Sequence, residues 1–573
     1  MSSSIATAAL VTTSVLFTLA CSAESTQPGK PGLTATPTKA TFTLAPLGAN
    51  LPAWALGPKS AGIFSPTAIA EVKGGGLGLI DFDRDGLLDV FVPGSRIIAK
   101  PQSAPGAKLF RNLGDCAFEL VQESGIDWTG WGMGVAIGDL NGDGYDDIFT
   151  AALGANAAHF NRGAESVRHF EERAGKSGLA DERWGMAAAL GDLDNDGDLD
   201  LYLANYLDLN LDDLPPDTTY LGESIFAGPL GLTPTPDQLL RNNGNGTFQD
   251  KTFRSGIGAV KPAFGLGATV LDFNEDGLLD IFVGNDSMAN SLFQNLGGFA
   301  FEDRATMMGL AANGDGREQA TMGIAISDVT GDGLPDLFST NFASDSNTLL
   351  VAHKRSSGAI GFRDKSAQSG AATGSRSLVG WASIFGDFNL DGDQDLVVFN
   401  GHVYPERLAA KMGSTSPQPL LYYAQEGGRF KLQAAAESGA WLQYLGLFRG
   451  AVRGDLDNDG DLDLAFTELT SGAAILRNDS ARGTRGSLAV ILIQDTGDRR
   501  GLGSRIVLRE GGKTQTQWVQ PSMGFQGSGT CAVHFALSPG DFERTLEITW
   551  PDGDVQIEQF AGRKEHLEIR REL

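Results

Sequence analysis

The sequence predicts an all-β chain: a seven-bladed β-propeller followed by a small C-terminal β-sandwich domain. Three observations predict it. A nine-residue acidic motif occurs seven times, strand-length apolar runs follow each copy, and 76 glycines accompany an ordinary hydrophobic fraction of 41%. At 573 residues the chain exceeds the usual size of one compact domain, so several domains or one large repetitive one are expected.

The motif reads DFDRDGLLD from Asp81, DLNGDGYDD from Asp139, DLDNDGDLD from Asp192 and DFNEDGLLD from Asp272. It continues as DVTGDGLPD from Asp328, DFNLDGDQD from Asp387 and DLDNDGDLD from Asp455. The steps between first aspartates are 58, 53, 80, 56, 59 and 68 residues, so one supersecondary unit recurs with two insertions. Positions 1, 3, 5 and 9 offer side-chain oxygens around a glycine at position 6 that permits the sharp bend. They are Asp81, Asp83, Asp85 and Asp89; Asp139, Asn141, Asp143 and Asp147; Asp192, Asp194, Asp196 and Asp200; and Asp272, Asn274, Asp276 and Asp280. Then come Asp328, Thr330, Asp332 and Asp336; Asp387, Asn389, Asp391 and Asp395; and Asp455, Asp457, Asp459 and Asp463.

That donor set suits a hard cation of calcium size, with a backbone carbonyl near position 7 and water completing the shell. These are therefore read as Ca-binding DxDxDGxxD loops, with up to seven Ca²⁺. An EF-hand would need Glu at position 12, where this chain has Val92, Thr150, Leu203, Val283, Ser339, Val398 and Phe466. Thr330 replaces a carboxylate or amide by a hydroxyl, which makes the fifth site the weakest. Without ions, the carboxylates of one loop would repel one another; seven Ca²⁺ would move the formal charge from −27 to about −13.

The rest of each unit supplies the strands. Upstream of the loops lie glycine-rich apolar runs such as GWGMGVAIG, RWGMAAALG and AFGLGATVL. Downstream lie β-branched and aromatic runs such as DIFVGN and DLVVFN, and then pairs such as LLRNNGNGTFQD around a tight turn. Each unit thus has strands A, B, C and D, with the acidic loop joining A to B. The seventh unit ends after AAILRN without a D strand, so a segment between residues 40 and 72, such as ATFTLAPL, is expected to supply it. Residues 485–573 read as about seven short strands with Gly-Gly and Pro-Asp-Gly turns, an independent sandwich.

Residues 5–20 are uncharged, apolar to small, and end at Cys21; they resemble a bacterial lipoprotein signal in which Cys21 is acylated after cleavage. Residues 1–21 are accordingly assigned to a signal peptide with a lipobox, 22–41 to a Pro/Thr/Ser tether and 42–480 to the propeller. The expected location is outside the cytoplasm: periplasm, outer membrane or cell surface, with membrane contact only through the lipid anchor. Forty-four basic against 71 acidic residues repel nucleic acid. Cys116 and Cys531 have nothing local to bring them together, although an exporting compartment would allow a disulfide.

With these motifs in place, the repeats resemble the FG-GAP/VCBS class found in integrin α-subunit heads. Residues 60–570 resemble bacterial relatives of cartilage acidic protein with a terminal ASPIC/UnbV domain. That domain is marked by Gly501, Gly503, His534, Phe535, Trp550, Pro551 and Gly553; Ala536-Leu537-Ser538 departs from the family's Gly-Leu-Gly. The resemblance implies a calcium-stabilised propeller.

Strand alternation puts the acidic loops on one face and the B-to-C and D-to-A connections on the other. The second face carries the long insertion 206–238, and long loops commonly carry function. Candidate ligand-face residues there are Asn205, Asn285, Asp286, Asn341, Asn400, His402 and Tyr404; loop capping and ligand contact both fit them. Six histidines and no hydrolase, zincin or P-loop motif argue for a binding or adhesion module for protein or glycan ligands. The alternative is a calcium-dependent polysaccharide lyase or hydrolase on the propeller, with a Lys or Arg, Tyr404 and His402 in a groove doing the work.

Overall fold

The computed structural model describes residues 40–46, 66–95, 106–163, 169–480, 485–494, 500–540 and 543–571. The expected signal, Cys21 and the tether up to residue 39 lie outside the described residues. Ala40 and Thr41, assigned to the tether by sequence, are docked instead: Ala40 is buried, and the Thr41 N–H is donated to Ser480 Oγ at 2.9 Å.

The chain is all-β and propeller-like, built from seven four-stranded antiparallel sheets in chain order. The first three are Leu77–Ile80, Asp89–Val92, Lys108–Asn112, Phe118–Leu120; Trp131–Gly138, Asp147–Leu153, Ala157–Asn161, Phe170–Glu172; and Gly185–Gly191, Asp200–Asn205, Gln238–Asn242, Phe248–Asp250. The fourth and fifth are Gly265–Leu271, Asp280–Asn285, Ser291–Asn295, Phe301–Asp303; and Ile324–Ser327, Asp336–Ser339, Thr348–Lys354, Ile360–Asp364. The sixth is Gly380–Gly386, Asp395–Asn400, Leu421–Glu426, Arg429–Leu432, and the seventh contains Phe448–Gly454, Asp463–Glu468 and Gly472–Asn478. Every B strand starts on the ninth residue of the acidic motif.

The seventh sheet obtains its D strand from the N-terminal side, as the sequence suggested. Phe42–Pro46 runs antiparallel to Gly472–Asn478, with Phe42 opposite Asn478 and Pro46 opposite Ala474. The Phe42 ring meets Phe388 and Trp441 at 5.6 and 4.8 Å between centroids.

A strands are buried on both faces, which is why they read as continuous small and apolar runs instead of alternating. A Cβ on Gly134 would stand 2.7 Å from the Met186 carbonyl oxygen, so glycine sets how closely the second and third A strands approach. Successive A strands touch from first to seventh, and the seventh also touches the first. Trp131, Met133, Met186, Leu266, Trp381 and Phe448 from these strands, with Trp184, Phe264 and Met322 from the residues leading into them, share one apolar core.

The C-terminal part contains a three-stranded sheet (Val533–Leu537, Gly486–Ile493, His566–Arg570) and a four-stranded one (Lys513–Trp518, Arg505–Glu510, Glu543–Thr549, Val555–Ala561). Leu488, Val490, Ile506, Leu508, Phe535, Leu546, Ile548 and Trp550 fill the space between them. The sandwich is not independent, contrary to the sequence reading. Ser522–Met523 and Gly527–Ser528 leave it and extend the first propeller sheet, Gly527 and Ser528 lying parallel to Leu77 and Gly78. The hairpin tip enters among the A strands because its backbone finds partners there. Gly524 O accepts the Ile324 N–H at 3.0 Å, Gln526 O accepts the Val135 N–H at 3.2 Å, and Phe525 packs on Trp381 at 4.9 Å.

Deleting residues 40–46 is expected to lower the thermal midpoint far more than deleting 22–38. Phe42→Ala alone should cost about 3 kcal/mol in urea unfolding.

Candidate metal centre and the opposite face

All seven acidic loops share one hydrogen-bond pattern. One oxygen of the first aspartate accepts the position-5 N–H at 2.9–3.2 Å. Its other oxygen accepts the position-6 glycine N–H at 2.6–3.2 Å. The fifth-position aspartate accepts the position-7 N–H at 2.9–3.1 Å. The bends require left-handed backbone at position 6, always glycine, and also at position 4, where Arg84, Gly142, Asn195, Glu275, Gly331, Leu390 and Asn458 have φ between 54° and 74°.

The closing aspartate of each loop is fully buried. One oxygen accepts a strand-C N–H at 2.7–2.9 Å in every sheet. The other accepts the position-2 N–H in six loops, and in the sixth loop it accepts the Tyr422 hydroxyl at 2.6 Å. Position 9 therefore ties the loop to strand C besides offering lone pairs to an ion. Burial pushes the carboxyls of Asp89, Asp200 and Asp336 up to about 8 and raises those of Asp147, Asp280, Asp395 and Asp463 as well.

Position 3 divides the loops. Asp83, Asp194 and Asp457 each bury an Oδ1 with no hydrogen-bond partner. Asn141, Asn274 and Asn389 direct theirs to the position-5 N–H at 2.9 Å. Ligand atoms of Asp81, Asp83 and Asp85, of Asp192, Asp194 and Asp200, and of Asp455, Asp457 and Asp459 lie within 4.8 Å of one another; Cys116 joins Asp457 and Asp463 in a fourth group. Oxygen-only cages with an unpartnered buried carboxylate oxygen fit a hard divalent cation. Two loops also hold a guanidinium: Arg111 meets Asp83 and Asp85 at 2.9 Å, and Arg241 meets Asp194 at 2.5 Å and Asp196 at 2.7 Å.

Sequence reasoning missed the residue that links the loops. The last residue of strand C, Asn112, Asn161, Asn242, Asn295 or Asn478, donates its Nδ2 to the position-2 carbonyl of the preceding sheet's loop. The acceptors are Leu456, Phe82, Leu140, Leu193 and Phe388, at 2.7–3.0 Å. Gln425 does the same for the sixth sheet, reaching Val329 O at 2.8 Å, while the fifth sheet has Ala352 at this place. The signal was an asparagine recurring at the end of strand C in five of the seven units, as in FRN, LRN and FQN.

The loop face is covered by the C-terminal sandwich. Arg500 approaches Asp146 at 3.6 Å, Arg485 donates to Leu390 O at 2.9 Å, and Gly503 lies against Leu279. A cavity of about 240 Å³ remains between Asp81, Asp455 and Asn458 on one side and Cys531, His534 and His566 on the other. Cys116 and Cys531 are not bonded to each other; Cys116 Sγ lies 3.9 Å from Asp463.

On the opposite face, Asn205, Asn285, Asn341 and Asn400 are buried, and their amides hold B-to-C loops by bonding Pro236, Ala289, Ser346 and Pro419 carbonyls at 2.7–2.9 Å. Of the two readings the sequence left open, loop capping is the one these bonds match, so the four asparagines are not placed as open ligand contacts. Asp286 is likewise buried, accepting Lys73 Nζ at 3.0 Å and the Tyr206 hydroxyl at 2.6 Å. His402 is fully buried, its Nδ1 accepts the Tyr404 N–H at 3.0 Å, and burial pulls it down to about 4. Of the seven, Tyr404 alone is half-exposed, packed with Tyr220, Phe226 and Phe342 at 5.8–6.3 Å. The insertion carries the hairpin Thr218–Tyr220 and Glu223–Ile225, and Glu223 receives Arg407 and Lys411 at 2.5 Å. It thus reaches from the third sheet to the helix Glu406–Lys411 of the sixth.

The FG-GAP-like repeat family matches residues 81–150, 139–203, 272–339 and 328–398, and the ASPIC and UnbV family matches residues 494–571. Cartilage acidic protein 1 of Xenopus tropicalis is 25% identical over 508 residues, spanning 84% of this chain and 70% of that one. The Homo sapiens protein of that name is 25% identical over 507 residues, spanning 85% and 70%. An Agrocybe aegerita lectin that recognises non-reducing terminal N-acetylglucosamine superposes with a TM-score of 0.36 at 15% identity, covering 76% of this chain and 93% of that one, too loosely to bear on function.

Asn242→Ala removes two donated bonds and a turn, and is expected to cost about 2–3 kcal/mol in chemical denaturation.

Proposed function

On the premise that the chain belongs with the FG-GAP-like repeat proteins ending in an ASPIC and UnbV domain, we propose that it is a calcium-loaded, seven-bladed β-propeller acting as an exported binding module for protein or glycan ligands. The succession of touching A strands, seventh to first included, supports seven blades. One observation carries the calcium reading. Three position-3 carboxylates bury an unpartnered oxygen inside cages whose remaining groups are already fixed by their own backbone. A bound Ca²⁺ supplies the positive charge those oxygens lack. The chain's residues orient the cage, exclude water at position 9 and pass the loop's shape on to strand C.

The binding surface is assigned by elimination and by chemistry. The C-terminal sandwich occupies the loop face, which leaves the face of the insertion. There Tyr220 is 44% exposed, Leu221 49% and Leu230 72%, beside Tyr404 and the cations of Arg407 and Lys411. Aromatic rings with one open side suit a sugar ring or an apolar protein anchor. The lyase or hydrolase alternative loses one of its candidate groups, because His402 is fully buried with Nδ1 engaged, and keeps Tyr404. Acylation of Cys21 would hold the module at a membrane surface outside the cytoplasm.

With EGTA the thermal midpoint should fall by ~10 °C relative to millimolar Ca²⁺. An unchanged midpoint together with no bound ion in elemental analysis would refute the calcium reading. Tyr220→Ala with Tyr404→Ala should abolish hits on glycan arrays and in pull-downs from extracellular protein while lowering the midpoint by only about 5 °C and keeping the transition cooperative.

A further inference from the structure

The residue before the strand-C asparagine varies among the sheets, and it varies with position 3 of the loop. Where position 3 is Asp, in loops 1, 3 and 7, that residue is Arg111, Arg241 or Arg477. Where position 3 is Asn141, Asn274, Thr330 or Asn389, it is Phe160, Gln294, Val351 or Ala424. The match holds in all seven units. Counting loop positions 1, 3, 5 and 9 together with this one strand-C residue, every unit carries the same formal charge, four carboxylates with one guanidinium or three carboxylates with none.

Geometry gives the correlation a cause. Strand C runs beside the loop, so a side chain one residue before the asparagine reaches positions 3 and 5. Arg111 spans Asp83 and Asp85 at 2.9 Å, and Arg241 spans Asp194 and Asp196 at 2.5 and 2.7 Å. Arg477 is held by Asp479 at 2.7 Å and acts on Asp457 through charge. A guanidinium keeps its charge at every working pH and forks across two carboxylates; Asn keeps the ligand oxygen of Asp but not the charge. Position 3 in loops 1, 3 and 7 nevertheless keeps one oxygen free of any partner, so the arginine accompanies the cation site without filling it.

We propose that Arg111, Arg241 and Arg477 are resident counter-cations that set the divalent-ion affinity of loops 1, 3 and 7. Arg111 and Arg241 stabilise the ion-free loop by occupying the outer oxygens of positions 3 and 5, Arg477 does so through charge alone, and all three weaken ion binding by adding positive charge beside it. All seven loops are thereby held to a common net charge. The inference rests on the calcium reading above.

Equilibrium dialysis with Ca²⁺ and thermal melts on the full chain test it through a charge cycle. Arg111→Gln with Arg241→Gln should tighten Ca²⁺ binding at two sites by about tenfold, seen as up to about one extra ion per chain at a free Ca²⁺ that part-fills the wild-type sites. The same variant should melt lower than wild type in EGTA, and the gap should close or reverse in saturating Ca²⁺. Adding Asp83→Asn and Asp194→Asn, which copies the Asn274 and Gln294 pair of loop 4, should return uptake to the wild-type level and restore the melt in EGTA. A variant that takes up no more Ca²⁺ than wild type, or that loses equal stability in EGTA and Ca²⁺, overturns the counter-cation role while leaving the calcium reading intact. A wild type that binds no Ca²⁺ sinks both.

Discussion

An aspartate that accepts two N–H groups from its own loop is the interaction on which the molecule is built. Charge-assisted bonds to backbone N–H groups are roughly twice as strong as neutral ones, and here they recur at positions 5 and 6 of seven loops. They lock two left-handed residues into a nine-residue bend that propensity alone would not hold, least of all at Leu390. The same bonds turn the remaining lone pairs of positions 1, 3 and 5 toward one point. Loop order and negative charge density are therefore one property, and an ion that relieves the second preserves the first.

The loop's shape then propagates sideways. The closing aspartate accepts the N–H of a strand-C residue, and in six sheets that strand's amide side chain bonds the carbonyl of the preceding sheet's loop. Asn112 reaching Leu456 O carries this chain from the seventh sheet to the first, and Phe42–Pro46 completes that seventh sheet on its outer edge. Ala352 breaks the series between the fourth and fifth sheets, and Thr330 puts the weakest cation donor in that same fifth unit. The least tied junction and the least complete loop therefore coincide.

Repetition decided what could be read in the sequence. Seven copies of one motif exposed the loops, the A-to-B connection and the missing D strand, because each copy reported on the others. The strand-C asparagines were equally repetitive, yet an asparagine before a glycine is expected in any tight turn, and that ordinary explanation hid their reach to the neighbouring sheet. The opposite-face residues stayed ambiguous for a related reason. Asn205, Asn285, Asn341 and Asn400 end their strands where a ligand contact or a loop cap would look alike, and burial alone tells them apart. The hairpin Ser522–Ser528 had no internal copy at all. Its glycines, Gly524 and Gly527, fit a turn inside a sandwich as well as an insertion beside Leu77.

That hairpin bears on where a partner can bind. Phe525 enters the shared core from the loop face, while Lys73, Tyr206 and Asp286 close the other end with a buried ion pair, a hydroxyl bond and the Tyr206 and Trp381 rings over the ammonium. A buried pair of this kind recovers its desolvation cost only when every contact is in place, so it specifies one arrangement more than it adds stability. With both ends filled, the middle of the sheet array is a structural core and not a passage. Under the proposed binding role, recognition would then use the outer surface of the insertion, whose own packing through Tyr206, Leu207 and Phe226 rests on that core. The ions would act on binding at a distance, through the sheets they hold in register, and the ligand would never meet them.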